Sequence, residues 1–191
     1  MAFALGIPAQ DAMVENMPVV PQRAVPRSMA DIFSPQEWEL LRQAPVWVSA
    51  ALTAVSPSGA LGIARELAAM AQAVQQVAAR YSTNRLISAL LDDMRLLTSQ
   101  AQSVAEVDDQ MSAEEAARHA VDLCRQTGEL VDQKVSPKEA HEYKEMVWFL
   151  ANQIAGGAKE GGVLGVGAKL VSEKEQAVLQ EISAALKLKH S

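Results

Sequence analysis

An all-α protein of about six helices is what this sequence predicts, and three observations predict it. Apolar residues make up 49% of the chain but aromatics only 4%, with 33 alanines among the 191 residues. That composition suits close helix packing and is too poor in aromatic and β-branched runs for a sandwich or barrel. Four serine-led capping motifs punctuate the chain from residue 34 onward. No segment alternates polar and apolar residues for the length of a strand.

The chain is longer than the roughly 150 residues usual for one domain. Residues 1–30 hold four of the eight prolines (Pro8, Pro18, Pro21 and Pro26) and show no sustained apolar period. They are expected to form an extended or disordered arm. Met13, Val14, Met17, Val19 and Val20 would give that arm apolar anchors for a neighbouring subunit. Residues 31–191 are expected to be a single helical domain.

Ser34-Pro35-Gln36-Glu37 opens a helix over 35–55, and Ser136-Pro137-Lys138-Glu139 opens another over 137–158. Ser112-Ala-Glu-Glu115 and Ser172-Glu-Lys-Glu175 open helices over 113–132 and 173–188. In each motif the serine oxygen accepts from an amide near the helix start. The acid reaches back and also favours the positive end of the helix dipole. Proline at the first helical position lacks only an amide that would have been unpaired. Helices over 64–80 and 83–104 fill the remaining periodic stretches. Punctuation is expected near Pro57, Tyr81-Ser82, Asp108-Asp109, Gly128 and Gly161.

The run Ala44–Ala64 carries no charge. Ser56-Pro57-Ser58-Gly59 breaks it, leaving Val46–Val55, which as a helix reaches about 15 Å, half the thickness of a bilayer core. A buried helix is therefore expected rather than a membrane span. A helix apolar on all sides belongs at the centre of a core or under a partner, so 44–55 is expected in one of those places.

The first and last thirds match one another. Ser34-Pro35-x-Glu37 matches Ser136-Pro137-x-Glu139 at an offset of 102, and Gly59-Ala-Leu-Gly-Ile63 matches Gly162-Val-Leu-Gly-Val166 at 103. Gln72-Ala-Val-x-Gln76 matches Gln176-Ala-Val-x-Gln180 at 104. The order is kept while the offset drifts by single residues. This predicts a duplicated helical hairpin, 34–80 and 136–188, each a capped helix, a Leu-Gly turn and a second helix, packed with a middle helix pair. Trp47 falls near Phe149 and Val46 near Trp148 in that alignment. Trp47, Trp148 and Phe149 are therefore the candidate residues for binding a partner or an apolar ligand between the copies.

Motifs for chemistry are weaker. Six of the ten glycines lie in Gly156–Gly167, but Ala168 stands where a phosphate-binding loop needs lysine, and the loop follows a helix rather than a strand. A structural turn is expected there. His119 lies four residues after Glu115 and three before Asp122, a face that could hold a metal, yet neither Glu-x-x-His nor His-x-x-x-His occurs. His141, among Glu139, Glu142 and Glu145, is expected to be exposed, and His190 with Lys187 and Lys189 suits a helix C-terminus. Cys124 lies five residues after His119, off the spacing that shares a helix face. The acids Glu106, Asp108, Asp109, Glu114 and Glu115 lack the glycine of a calcium loop, and Asp92-Asp93 with Arg95 reads as a charged helix face. No catalytic residue, metal or cofactor is expected.

Ala158-Lys-Glu-Gly-Gly-Val-Leu-Gly-Val-Gly167, followed by Val171-Ser-Glu-Lys-Glu175 and an alanine-rich helix, resembles a family of uncharacterised bacterial all-helical proteins. The resemblance covers about 40 residues and implies a bacterial, cytoplasmic setting, with no activity or site residue to carry over. One cysteine allows no internal disulfide, which agrees with a reducing compartment. The N-terminus has no positive stretch before its apolar run, so a secretory signal is not expected. A net charge of −6 disfavours nucleic acid, whose phosphates need a basic surface. The expected function is that of a non-enzymatic helical interaction or structural protein, self-associating or holding a protein partner. The alternative is a binder of a small apolar ligand in a pocket between the two copies.

Overall fold

The computed structural model describes residues 29, 31–55, 59–100, 111–157 and 172–189, apart from the side chains at 59–69 and 157. The described residues form six helices and no strand: α1 (Pro35–Val55), α2 (Gly59–Arg80), α3 (Arg85–Ser99), α4 (Ala113–Lys134), α5 (Pro137–Gly157) and α6 (Glu173–Ala185). None of them is long and apolar enough to cross a membrane.

All four serine motifs start helices. Ser34 and Glu37 exchange both capping bonds, the Ser34 amide donating to Oε2 at 2.7 Å and the Glu37 amide to Oγ at 3.3 Å. Ser136 with Glu139 does the same at the head of α5. Ser112 with Glu115 and Ser172 with Glu175 close the boxes of α4 and α6. Lys134, at the end of α4, adds a bond of 2.7 Å to Glu37 and one of 3.1 Å to the Ile32 carbonyl. The bond from Lys134, then that from the Ser34 amide, hold the Glu37 carboxyl below its usual range.

The helix starting α3 has a cap that the serine pattern does not announce. Asn84 is buried, and its side-chain oxygen accepts from the Ile87 amide at 3.0 Å. Its side-chain nitrogen donates across to α5, to the Glu139 carbonyl at 3.2 Å and Glu142 at 2.8 Å. One amide thus both begins a helix and docks it.

Two punctuation marks read differently in three dimensions. Gly59–Ile63, expected as a Leu-Gly turn, is the opening of α2, which starts five residues earlier than expected. Amides in a first turn have no intrahelical partner, so glycine there costs little. Gly128 does not interrupt α4. It is buried where the end of α6 crosses, and an added Cβ would meet the Ala185 carbonyl oxygen and Leu186 Cα at 3.7 Å. The expected turn at Gly161, the acids at 106–110, His190 and nearly all of the arm at 1–30 lie outside the described residues. Met29 is described, and it is buried with Phe33 and Trp38. The Phe33 and Trp38 rings stand 6.1 Å apart.

α1 and α5 form the centre of the molecule. Among the described residues α4 and α6 pack on one side of that pair and α2 and α3 on the other, so α3 and α4 do not sit together as a middle pair. One side of the uncharged stretch of α1 is covered by its own chain: Ala44, Val48 and Ala51 are wholly buried, and Pro45, Trp47 and Leu52 nearly so. The other side of 44–55 is less covered: Val46, Ser49, Ala50, Thr53 and Val55 are half-buried and Ala54 is exposed.

Pro45 lies inside α1 and has no amide to donate to the Leu41 carbonyl one turn back. The Tyr143 hydroxyl of α5 donates to that carbonyl instead, at 3.0 Å and fully buried. A backbone acceptor left open by one helix is closed by a side chain of the other. Burial pushes the Tyr143 phenol well above its ordinary range, so it stays a donor.

Candidate functional site

The helix phases that build this core leave a cleft between α1, α2, α3 and α5, with a cavity of about 190 Å³. Leu41, Pro45, Val46 and Ser49 of α1 form one wall, spaced to share a face. Met70, Val74 and Val77 of α2 form the second, while α3 supplies Leu90, Leu91 and Met94, and α5 supplies Met146 and Leu150. Ser49 is the one polar lining residue, and its hydroxyl donates to the Pro45 carbonyl at 2.7 Å. The surface presented to the cleft is therefore apolar throughout.

A space of this size could hold several waters by volume, but water needs two to four polar partners to be stable there. Apolar surface left facing water in an open cleft is unfavourable by about 25 cal/mol per Å². An apolar occupant recovers part of that. Three of the lining residues are methionines from three different helices, unbranched side chains that re-pack around irregular shapes. Val46 and Ser49 of α1, Met70 and Val74 of α2 and Met94 of α3 are only half-buried, which places the mouth among these three helices.

Polar chemistry lies elsewhere. Asp92 and Asp93, read together as a charged face, separate. Asp92 pairs with Arg95 at the surface at 3.1 Å, while Asp93 turns inward to accept from Trp38 Nε1 at 3.0 Å. Buried Arg42 faces Asp93 at 3.8 Å and pairs with Glu39, yet its Nε and Nη1 make no hydrogen bond. Lys144, also buried, reaches Asp132 at 2.6 Å. On the outer side of α5, Glu145 collects Arg80 at 3.8 Å, the Tyr81 hydroxyl at 3.4 Å and His141 at 3.4 Å. Burial, followed by the nearby carboxylates, pushes the Tyr81 phenol up to about 12, against the opposing pull of Arg80.

The three candidate residues lie apart from the cleft. Trp47 is two positions past Pro45, roughly 200° around the helix, and is buried against α4. There the exposed His119 stands edge-on to it, with ring centroids 4.3 Å apart. Trp148 and Phe149 are half-buried on α5, out of phase with Met146 and Leu150 that reach the cleft. The structure does not bring these three together in the cleft.

The proposed metal face of α4 is also dispersed. Glu115 is engaged in the cap of its helix, Asp122 pairs with Arg125 at 2.5 Å, and His119 leans on Trp47. Among the described residues no three His, Cys, Asp or Glu side chains group closely enough to hold a metal ion. Cys124 is buried on a different face from exposed His119, and burial pushes its thiol up to about 12, away from the thiolate a nucleophile needs. His141 is exposed, as its carboxylate neighbours suggest.

Sequence reasoning missed Met70, Met94 and Met146. The one available signal was their placement on apolar phases of three separate helices, which says nothing of a shared cavity until the helices are docked. Comparison with protein-family models, curated proteins and solved structures finds no match for this chain.

Proposed function

We propose that this chain is a non-enzymatic helical interaction protein whose working surface is the apolar cleft between α1, α2, α3 and α5. The observation that carries the reading is the cleft itself: it opens at the surface, and its one polar side chain, Ser49, is turned to its own helix, so the lining offers no polar surface. Apolar surface of this kind is stabilised by contact with another apolar group rather than by water. Self-association is the simplest form of such an interaction, with a second copy supplying that group. A net charge of −6 supports protein rather than nucleic acid as the partner. The lone, buried Cys124 agrees with a reducing, cytoplasmic setting in a bacterial cell. The matched motifs of α1 and α5 support their origin as two copies of one unit.

Light scattering over a hundredfold concentration range tests self-association. The chain is expected above monomer mass at the upper end, and Val74→Glu, which places a charge at the mouth, is expected to return it to monomer. Monomer at every concentration for both proteins would remove self-association from the reading.

A second reading is favoured by the dimensions of the cleft. A cavity of about 190 Å³, walled by residues from both matched segments and by α3, is on the scale of a small apolar ligand.

A further inference from the structure

We propose that the cleft binds a small neutral apolar molecule, about the bulk of one substituted ring, held without any hydrogen bond. The proposal rests on the ligand reading above and names the class of ligand. Three observations converge on it. Its volume, about 190 Å³, slightly exceeds that of apolar protein cavities of roughly 150 Å³ known to stay dry and take up benzene or xenon. It falls short of the roughly 300 Å³ at which drug-sized pockets begin. A fused-ring compound or a long acyl chain would have to leave part of itself outside.

The second observation is chemical. The Ser49 hydroxyl is the one side-chain donor in the lining, and it is already committed to the Pro45 carbonyl. A ligand carboxylate, amine or amide buried here would lose its water and gain nothing. A ring carrying such a group is therefore excluded, while a hydrocarbon of the same shape is accepted.

The third concerns entry. α3 lines the cleft on one flank with Leu90, Leu91 and Met94 and borders a second cavity of about 250 Å³ on its other flank, with Leu91 shared by both. Entry rests on side-chain rotation at the mouth, because Asn84 and Asp93 hold α3 itself to α5 and α1. The methionines at the mouth change rotamer more readily than branched side chains would.

Toluene is the probe, added to the full-length chain carrying ¹³C-methyl methionine. Saturable shifts are expected at the Met70, Met94 and Met146 methyls, with Met111, which lies outside the cleft, unmoved. Benzoate, similar in shape but charged, is expected to bind at least tenfold more weakly. Val74→Phe, which fills the cavity, is expected to abolish the toluene shifts while its melting temperature stays at or above that of the parent, showing that the fold is intact. Equal binding of benzoate and toluene, unsaturable shifts spread to Met111, or undiminished binding by a folded Val74→Phe would each overturn the proposal. A parallel titration with decane separates size from site. Shifts at the three cleft methyls with decane but not toluene would overturn the single-ring class and leave the apolar-ligand reading standing. No shift with either would remove both.

Discussion

α1 and α5 begin with the same Ser-Pro-x-Glu device, run for 21 residues each and lie together at the centre of the molecule, yet they do opposite things there. α1 contributes a defect, the Leu41 carbonyl deprived of its partner by Pro45. α5 contributes the repair, the Tyr143 hydroxyl. Leu41 and Tyr143 are 102 positions apart, the offset that separates the two capping motifs. Their buried cations differ too. Arg42 of α1 pairs with an Asp93 side chain that is only 10% exposed, whereas Lys144 of α5 pairs with an Asp132 side chain that is 44% exposed. Like helices are thus told apart by what each leaves unsatisfied, and the unsatisfied groups determine how they dock.

The contrast between the cations predicts the largest effect. Asp93→Ala removes one of the two acid partners of a buried arginine, leaving Glu39, together with the acceptor of Trp38, and is expected to cost about 3 kcal/mol of stability in urea titration. Asp132→Ala should cost under about 1 kcal/mol, because its carboxylate is largely solvated. Equal losses would show that burial does not distinguish the two pairs.

The defect and its repair predict a coupled pair. Tyr143→Phe leaves a buried carbonyl open and is expected to cost about 1–3 kcal/mol. In a Pro45→Ala background the alanine amide can serve Leu41, so the same change should cost measurably less. A double-mutant cycle reads the coupling directly. Additivity would mean that the hydroxyl does not compensate for the proline.

Alkaline titration compares the two buried flanks of the central pair, Cys124 on the α4 side and Tyr81 on the α2 side. Burial raises the thiol from its ordinary value near 9 to about 12, and the phenol from 10 to about 12. Both groups are neutral when protonated. The folded chain therefore keeps its protons to higher pH than the unfolded one, and stability falls as pH rises from about 9 to 12. Each group contributes up to about 1.4 kcal/mol per pH unit within its window. Cys124→Ala should flatten the lower part of that decline, from about pH 9 to 10, where only the thiol contributes.

The caps give the smallest effect. Ser34→Ala and Ser136→Ala should each cost about 1 kcal/mol. The loss should be the larger at Ser34, whose partner Glu37 also holds Lys134 of α4. Chemical denaturation of both variants ranks them, and an equal loss would show that the Lys134 bridge is independent of the cap.

Much of the helix pattern was legible because its signals are local. Ser34, Ser112, Ser136 and Ser172 each find their glutamate three residues on, within one turn, so the starts could be read without knowing what packs where. Asn84 was not legible as a cap, since it lacks that glutamate and spends its second polar atom on α5, 55 and 58 positions away. The glycines misled for the same reason. Gly59 and Gly128 look like breaks in isolation, whereas the first opens α2 and the second makes room for the end of α6. The aromatics drew attention as candidate binding residues, but helical phase turned Trp47 toward α4 and gave the cleft to aliphatic side chains and methionines.

By itself, then, the sequence determined that the described residues are helical, where most of these helices begin, and that the uncharged part of α1 is packed in the core on at least one side. Capping and amphipathic spacing act within a few residues, so no tertiary information is needed to read them. Only the tertiary structure decided which side of α1 is covered by its own chain, that Asp93 turns inward while Asp92 does not, and that three distant methionines share one cavity. Each of those depends on the relative rotation of docked helices, and a rotation of about 100° per residue makes neighbours in sequence into strangers in space.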